Sequence, residues 1–254
     1  MAMKKIFIIG IGAGDPDYIT MQAVKALNQV DVFFILDKGA SKAKMIELRK
    51  ELCRRYISDH SYRFAEAVSP TWERGTTDYE GTVDQLNHDK QAVFERLIAD
   101  ELADGECGAF LIWGDPTLYD STIRNVETLA ATGSHELEYE VIPGISSIQA
   151  LAARHKTTLN RIAQTVLITT GRKLAQGFPE GADSVVVMLD AENTYMRFVD
   201  QEMEIYWGAY IGTPDEVLIA GKLKDVAGDI ARTRDEARQA NGWIMDTYLL
   251  RRES

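Results

Sequence analysis

Short runs rich in β-branched and aromatic residues alternate with amphipathic helical patterns along almost the whole chain, and this alternation leaves few architectures open. A strand that is followed by a crossover helix is covered on both faces, so it reads as a near-continuous apolar run. Lys5-Ile6-Phe7-Ile8-Ile9 and residues 30–36 have that character, and between them Ile19, Ala23, Val24 and Leu27 recur at helical spacing. Asp15-Pro16 pairs a capping carboxylate with a residue suited to the first helical position, which predicts the helix start there. A helix over about 41–56 follows. Residues 63–81 read as a loop because they contain Ser69-Pro70 and Arg74-Gly75, and a long helix then ends near Leu102. The next strand, residues 109–113, runs directly into Gly114-Asp115-Pro116.

Beyond Glu138 the strand-like runs come faster, at 139–142, 166–169, 185–188, 205–207, 217–219 and 243–250. Connections this short force some antiparallel pairing. The fold class expected is therefore α/β in two domains: residues 1–120 with a mostly parallel sheet, and residues 121–254 with a mixed sheet. The boundary is placed at 119–122. The Arg/Glu/Ala-rich run 226–240 reads as a solvated helix.

Composition narrows the function. Apolar residues make up 45% and charged residues 26%, with no apolar run near the length of a membrane span. The apolar start of the chain ends in Gly-Ala-Gly-Asp-Pro with no small-residue cleavage site, so a buried strand is expected there in preference to a signal peptide. Cys53 and Cys107 have no second pair or histidine spacing that would make a zinc site, which implies reduced thiols in a cytoplasmic protein and no metal. A net charge of −11 argues against nucleic acid or an anionic membrane as partner. An anionic substrate would need a local basic patch. Arg124, Arg154, His155, Lys156, Arg161, Arg172 and Lys173 are its candidates, with arginine forks suited to carboxylates.

Three glycine turns follow strands. Gly10-Ile11-Gly12-Ala13-Gly14 could bring backbone amides to a ligand, but Asp15 stands where a dinucleotide fingerprint needs its third glycine. Asp37 ends the second strand, where a dinucleotide enzyme would hold a ribose, so a nicotinamide enzyme stays open as the alternative. Gly114-Asp115-Pro116-Thr117-Leu118-Tyr119 and Val141-Ile142-Pro143-Gly144-Ile145-Ser146-Ser147 are the other two turns, each readable as a ligand loop or as a capped turn.

Taken in order, these turns together with Ile211-Gly212-Thr213-Pro214 and Ala220-Gly221-Lys222-Leu223 resemble the tetrapyrrole (corrin/porphyrin) methylases over essentially the whole chain. Asp37-Lys38-Gly39, Trp113-Gly114-Asp115-Pro116, Leu159-Asn160-Arg161-Ile162, Ile168-Thr169-Thr170-Gly171-Arg172, Tyr206-Trp207-Gly208-Ala209-Tyr210 and Gly242-Trp243-Ile244-Met245-Asp246 resemble its deacetylating, cobalamin-pathway branch. The resemblance implies an S-adenosylmethionine-dependent C-methyltransferase with a cleft between two α/β domains, acting as a homodimer. Its substrate would be precorrin-5, methylated at C1 with release of acetate to give precorrin-6A, and its second product S-adenosylhomocysteine. It further implies cofactor contacts at Gly12, Gly114, Asp115, Leu118, Tyr119, Ser146, Ser147, Met188, Leu189, Ala209, Tyr210 and Trp243. Substrate carboxylates would fall to Arg124, Arg154, Arg161 and Arg172. Asp37, Tyr119 and His155 are the candidates for the proton transfers of deacetylation. A protein-methylating relative such as diphthine synthase and a non-catalytic binding relative are the other possibilities.

Overall fold

The computed structural model describes residues 3–37, 39, 43–70, 79–133 and 136–253. Lys38, the first residues of the helix expected from 41, and the Arg74-Gly75 turn lie outside them. Two compact units are present: Met1–Gly12 with Pro16–Ile145, and Ala13–Asp15 with Ser146–Ser254.

Unit 1 is a five-stranded sheet of β1 (Lys4–Gly10), β2 (Val32–Asp37), β3 (Arg63–Val68), β4 (Cys107–Ile112) and β5 (Leu137–Ile142), in the order β3-β2-β4-β1-β5 and parallel throughout. Helices α1 (Met21–Leu27) and α2 (Ala43–Tyr56) bury Ala23, Leu27, Leu52 and Cys53 against Phe7, Ile9, Phe33 and Leu111 on one face. Helices α3 (Tyr79–Glu101) and α4 (Thr122–Thr132) bury Phe94, Ile98, Val126 and Leu129 against Ile6, Ile8, Phe34 and Phe110 on the other. The chain moves outward from β1 to β3 and then returns, and right-handed crossovers put the returning helices on the opposite face. The carboxyl ends of β1, β2 and β4 therefore border a topological switch, where open α/β sheets bind ligands.

Three sequence expectations need correction in this unit. Residues 63–68 form edge strand β3 instead of a loop, pairing from Val32↔Arg63 to Asp37↔Val68. Its charged Arg63 and Glu66 disguise the strand, as charges on an edge strand commonly do. The helix after Gly14 does not start at Asp15-Pro16: Pro16–Tyr18 is a single 3-10 turn, and α1 is capped by Thr20, whose Oγ1 accepts from Ala23 N at 3.1 Å. The units divide after Ile145 and not at 119–122, because β5 pairs with β1 along its whole length and belongs to the first sheet.

Unit 2 carries the mixed sheet, in the order β6-β7-β10-β8-β9, from β6 (Val166–Thr170), β7 (Ser184–Met188), β8 (Met203–Ala209), β9 (Val217–Lys222) and β10 (Asp246–Arg252). Among the described residues of this sheet only β6 and β7 pair in parallel. Its helices are α5 (Ser147–Arg154), α6 (Gly171–Leu174) and α7 (Leu223–Asn241). The expected solvated helix is in fact amphipathic, since Leu223, Ala227, Ile230 and Arg234 of α7 are buried. Burial pushes the Cys53 and Cys107 thiols up to about 12, so both stay protonated and unreactive. Among the described residues no helix is long and apolar enough to cross a membrane.

Candidate functional site

In unit 1 the carboxyl ends of β1, β4 and β5 converge on three glycines. A Cβ on Gly10 would lie 2.6 Å from Gly144 N and 2.9 Å from Gly114 O, and one on Gly144 would lie 2.1 Å from Gly114 O. No side chain fits there, which is why the turns carry glycine. Gly114 N donates to Gly12 O at 2.8 Å and Gly12 N to Gly114 O at 3.3 Å, a bridge made with both residues at positive φ. Asp115 ties in the third turn. Its Oδ2 accepts from Gly144 N at 2.9 Å, while Oδ1 accepts from Thr117 N at 2.8 Å and from the Thr117 hydroxyl. The aspartate singled out as a ligand contact thus also clamps one loop to another. Leu118 is partly buried, and Tyr119 is exposed with φ 53°. Asp37 closes β2, with Oδ1 accepting from Gly39 N at 2.8 Å.

In unit 2, Ser146 caps α5 by accepting from Ile148 N at 3.1 Å, and its hydroxyl also meets Gln149 Oε1. Ser147 is the first helical residue. Met188 ends β7, and Leu189 follows it with φ 53° and 66% exposure. Ala209 ends β8, and Tyr210 follows it, buried, with φ 48°. Trp243 packs edge-on against the Tyr210 ring at 5.3 Å and accepts the Tyr210 hydroxyl at its carbonyl. Tyr119, Leu189 and Tyr210 are three of seven non-glycine residues at positive φ among those described. That backbone costs of order 1–3 kcal/mol and tends to persist at ligand sites.

A buried polar network fixes the Leu189 turn. Asp190 accepts from Glu192 N at 3.0 Å, Thr194 N at 2.7 Å, Thr194 Oγ1 at 2.8 Å and the Tyr248 hydroxyl at 2.7 Å. Arg234 donates to the Asp190 carbonyl at 2.6 Å and to Asp246 Oδ2 at 2.9 Å, and Trp207 Nε1 donates to the same carboxylate oxygen at 3.0 Å. Burial raises the Asp246 carboxyl while Arg234 pulls it back. Burial and the Asp190 charge push the Tyr248 phenol well above its ordinary value. Sequence reasoning missed Arg234 and Asp190. The available signal was spacing: Arg234 falls four residues after Ile230, on the apolar stripe of α7.

Of the expected substrate arginines, Arg154, Arg161 and Arg172 belong to unit 2 and Arg124 to unit 1. Arg154 forks onto Glu216 at 2.8 and 3.1 Å, and Glu216 also accepts from Gly212 N at 2.8 Å. Arg161 pairs with Asp183 at 3.2 Å and donates to the Arg252 carbonyl, lining an open groove of about 630 Å³ with Thr158, Asn160 and Gln164. Arg172 is exposed on α6, and Arg124 is exposed on α4 of unit 1. His155 lies at the C-terminal end of α5, roughly 13.5 Å from the Ser146 cap at 1.5 Å per residue. Its Nε2 faces the Trp207 carbonyl at 3.0 Å, so that nitrogen carries the proton, and burial lowers the ring's pKa. Through this nitrogen His155 ties α5 to β8.

The sequence matches the family model Tetrapyrrole (Corrin/Porphyrin) Methylases over residues 5–227. It is 48% identical over 250 residues to the precorrin-6A synthase [deacetylating] of Sinorhizobium sp, covering 98% of this chain and 96% of that one. The crystal structure of a cobalamin synthesis related protein (CobF) from Corynebacterium diphtheriae superposes with a TM-score of 0.84 at 31% identity, covering 100% of both chains. The uroporphyrin-III C-methyl transferase from Thermus thermophilus, solved with S-adenosyl homocysteine, shares the fold with a TM-score of 0.58 at 16% identity over 97% of this chain and 96% of that one.

Proposed function

This chain belongs to the tetrapyrrole (corrin/porphyrin) methylases, and we propose that it is a deacetylating precorrin-6A synthase: an S-adenosylmethionine-dependent enzyme that methylates precorrin-5 at C1 and releases acetate. The observation that carries this is the 48% identity to a protein of that name along both units.

The cofactor supplies a methyl group from its sulfonium. Transfer to carbon disperses positive charge, so alignment and exclusion of water matter more than acid or base. The turns at Gly12, Gly114–Tyr119, Ser146-Ser147, Met188-Leu189, Ala209-Tyr210 and Trp243 are the proposed holders of the cofactor. Left-handed backbone at the exposed Tyr119 and Leu189 supports this, because it presents those side chains at a cost in folding energy. Glycine backbones whose amides can approach a ligand support it also. Deacetylation requires water to add to the acyl carbon, the C–C bond to break with its electron pair passing to the macrocycle, and acetate to leave. Asp37, with one carboxylate oxygen held by Gly39 N, is the proposed base for that water, and the Tyr119 hydroxyl the proposed donor to the developing oxyanion. Arg124 and Arg172, both exposed, are the proposed outer contacts for substrate carboxylates.

The enzyme is further proposed to be a cytoplasmic homodimer, as the family resemblance implies. Sedimentation at micromolar concentration would test the dimer. The activity is tested by incubating the protein with precorrin-5 and methyl-labelled S-adenosylmethionine. Label in the macrocycle with equimolar acetate is expected, and label without acetate would refute the deacetylating assignment.

A further inference from the structure

Strands β2 and β4 part at their carboxyl ends. β4 pairs with β2 only from Val32↔Gly108 to Phe34↔Phe110, whereas β2 continues along β3 to Asp37↔Val68 and β4 along β1 to Gly10↔Ile112. Successive carbonyls of a strand point to alternate neighbours. Ile112 O faces β1, where it accepts from Ile11 N at 2.9 Å, so Leu111 O faces the side that β2 has left. A cation has entered there: Arg49 Nε donates to Leu111 O at 2.9 Å, and Nη1 donates to Met45 O at 2.9 Å.

Helix α2 runs back from the carboxyl edge with Leu52 and Cys53 against the sheet. Arg49 stands three and four positions earlier on the same stripe, one turn nearer the edge. Both its hydrogen bonds go to backbone carbonyls, which leaves Nη2 to donate elsewhere, and among the described residues no carboxylate neutralises it by contact. Burial lowers its pKa to about 10 against the opposing charge of Asp120, so it remains a cation at neutral pH. Two residues beyond Leu111, the indole Nε1 of Trp113 is buried with no hydrogen-bond partner among the described residues. Native folds rarely leave such a donor unpaired. Guanidinium and indole are donor-only groups, so a ligand satisfying both must present acceptor oxygens, and next to a cation those oxygens are best carried by an anion.

We propose that Arg49 and Trp113 form a carboxylate subsite of unit 1, in which Nη2 of the guanidinium and the indole N–H together hold one carboxylate of the tetrapyrrole. The inference rests on the function proposed above. It also supplies what the expected arginines lack, since Arg154 and Arg161 already carry carboxylate partners of their own.

The test compares Arg49→Lys, which keeps the charge but loses the fork, with Trp113→Phe, which keeps the ring but loses the N–H. Steady-state kinetics with precorrin-5 and S-adenosylmethionine varied in turn should show the precorrin-5 KM raised about tenfold in Arg49→Lys and about fivefold in Trp113→Phe. Calorimetric S-adenosylhomocysteine affinity should stay within about twofold of the wild type in both. Trp113→Phe leaves the Arg49–Leu111 bond intact, so it reports on the subsite even if Arg49→Lys folds poorly. Unchanged precorrin-5 KM in Trp113→Phe would overturn the subsite, and so would an equal loss of S-adenosylhomocysteine affinity, which would place the pair with the cofactor. Wild-type turnover is measured first: its absence refutes the assigned function and the ligand together, whereas turnover with unaltered variant KM refutes the subsite alone.

Discussion

Leu189 is a large apolar side chain that is 66% exposed on a left-handed backbone at φ 53°, a combination that folding alone does not favour. Replacing it by glycine separates the two costs. Left-handed backbone at a non-glycine residue costs about 1–2 kcal/mol, and glycine returns about 0.4–1 kcal/mol of that through its freer unfolded chain. Leu189→Gly should therefore stabilise the protein by roughly 0.5–1 kcal/mol, or about 1–4 °C in Tm for a chain of this size. Burying a whole leucine side chain is worth about 1.5–3 kcal/mol, so a cofactor that covers the exposed two-thirds would lose about 1–2 kcal/mol, or roughly 5–30-fold in affinity. Differential scanning calorimetry and S-adenosylhomocysteine titration measure the two quantities on the same sample. The signs must oppose each other. A higher Tm with unaltered affinity would make the Leu189 conformation incidental to the cofactor, and a lower Tm would mean the side chain supports the fold.

Asp115→Ala should weaken S-adenosylhomocysteine binding more than tenfold and destabilise unit 1 by about 1–3 kcal/mol, because Gly144 N loses its acceptor; calorimetry and urea unfolding read both, and a change in neither would reduce Asp115 to an ordinary turn residue. Arg234→Met should cost about 3–5 kcal/mol by stranding the buried Asp246, and adding Asp246→Asn should restore part of it; additive losses in denaturant unfolding would contradict the coupling. The Arg63 guanidinium holds the Glu106 carboxyl down at about 2 from an ordinary 4.5. A depressed carboxylate stabilises above its unfolded pKa, so this contribution is complete above about pH 5 and disappears as pH falls toward about 2. Solvent screening keeps it small, and Glu106→Gln should flatten that part of the Tm-against-pH curve.

The two sheets are legible in the sequence because their strands are apolar on both faces, as in β1, or bounded by glycine turns, as in β4. β3 escapes because an edge strand with Arg63 and Glu66 looks locally like a polar loop, and only its partner β2 reveals it. β5 is legible as a strand but not as a member of the first sheet, since membership depends on pairing with a strand more than a hundred residues away. At the candidate site the glycine turns are visible as motifs, yet their convergence is a property of three-dimensional approach between Gly10, Gly114 and Gly144. Arg49 and Arg234 are hidden for another reason. A charged residue on a helix is usually solvated, and only the missing strand partner of Leu111 and the neighbouring Asp190 and Asp246 explain why these two turn inward.

The position of β1 between β4 and β5 in the unit 1 sheet has a consequence for biosynthesis. β1 pairs with β4 through Lys5↔Cys107 and with β5 through Lys4↔Leu137, so its neighbours are translated about a hundred residues or more after it. At roughly 5–20 residues per second, this apolar strand waits on the order of 5–20 s outside the ribosome before a partner exists. Lys4 and Lys5 lead its sequence, and Asp15 and Asp17 follow soon after. These charges flank the segment as gatekeepers against premature strand pairing between nascent chains. Later, Lys4 is drawn inside, with Nζ donating to the Ile98 carbonyl of α3 at 2.8 Å. The same side chain that keeps the strand soluble during synthesis caps a helix once the sheet has closed.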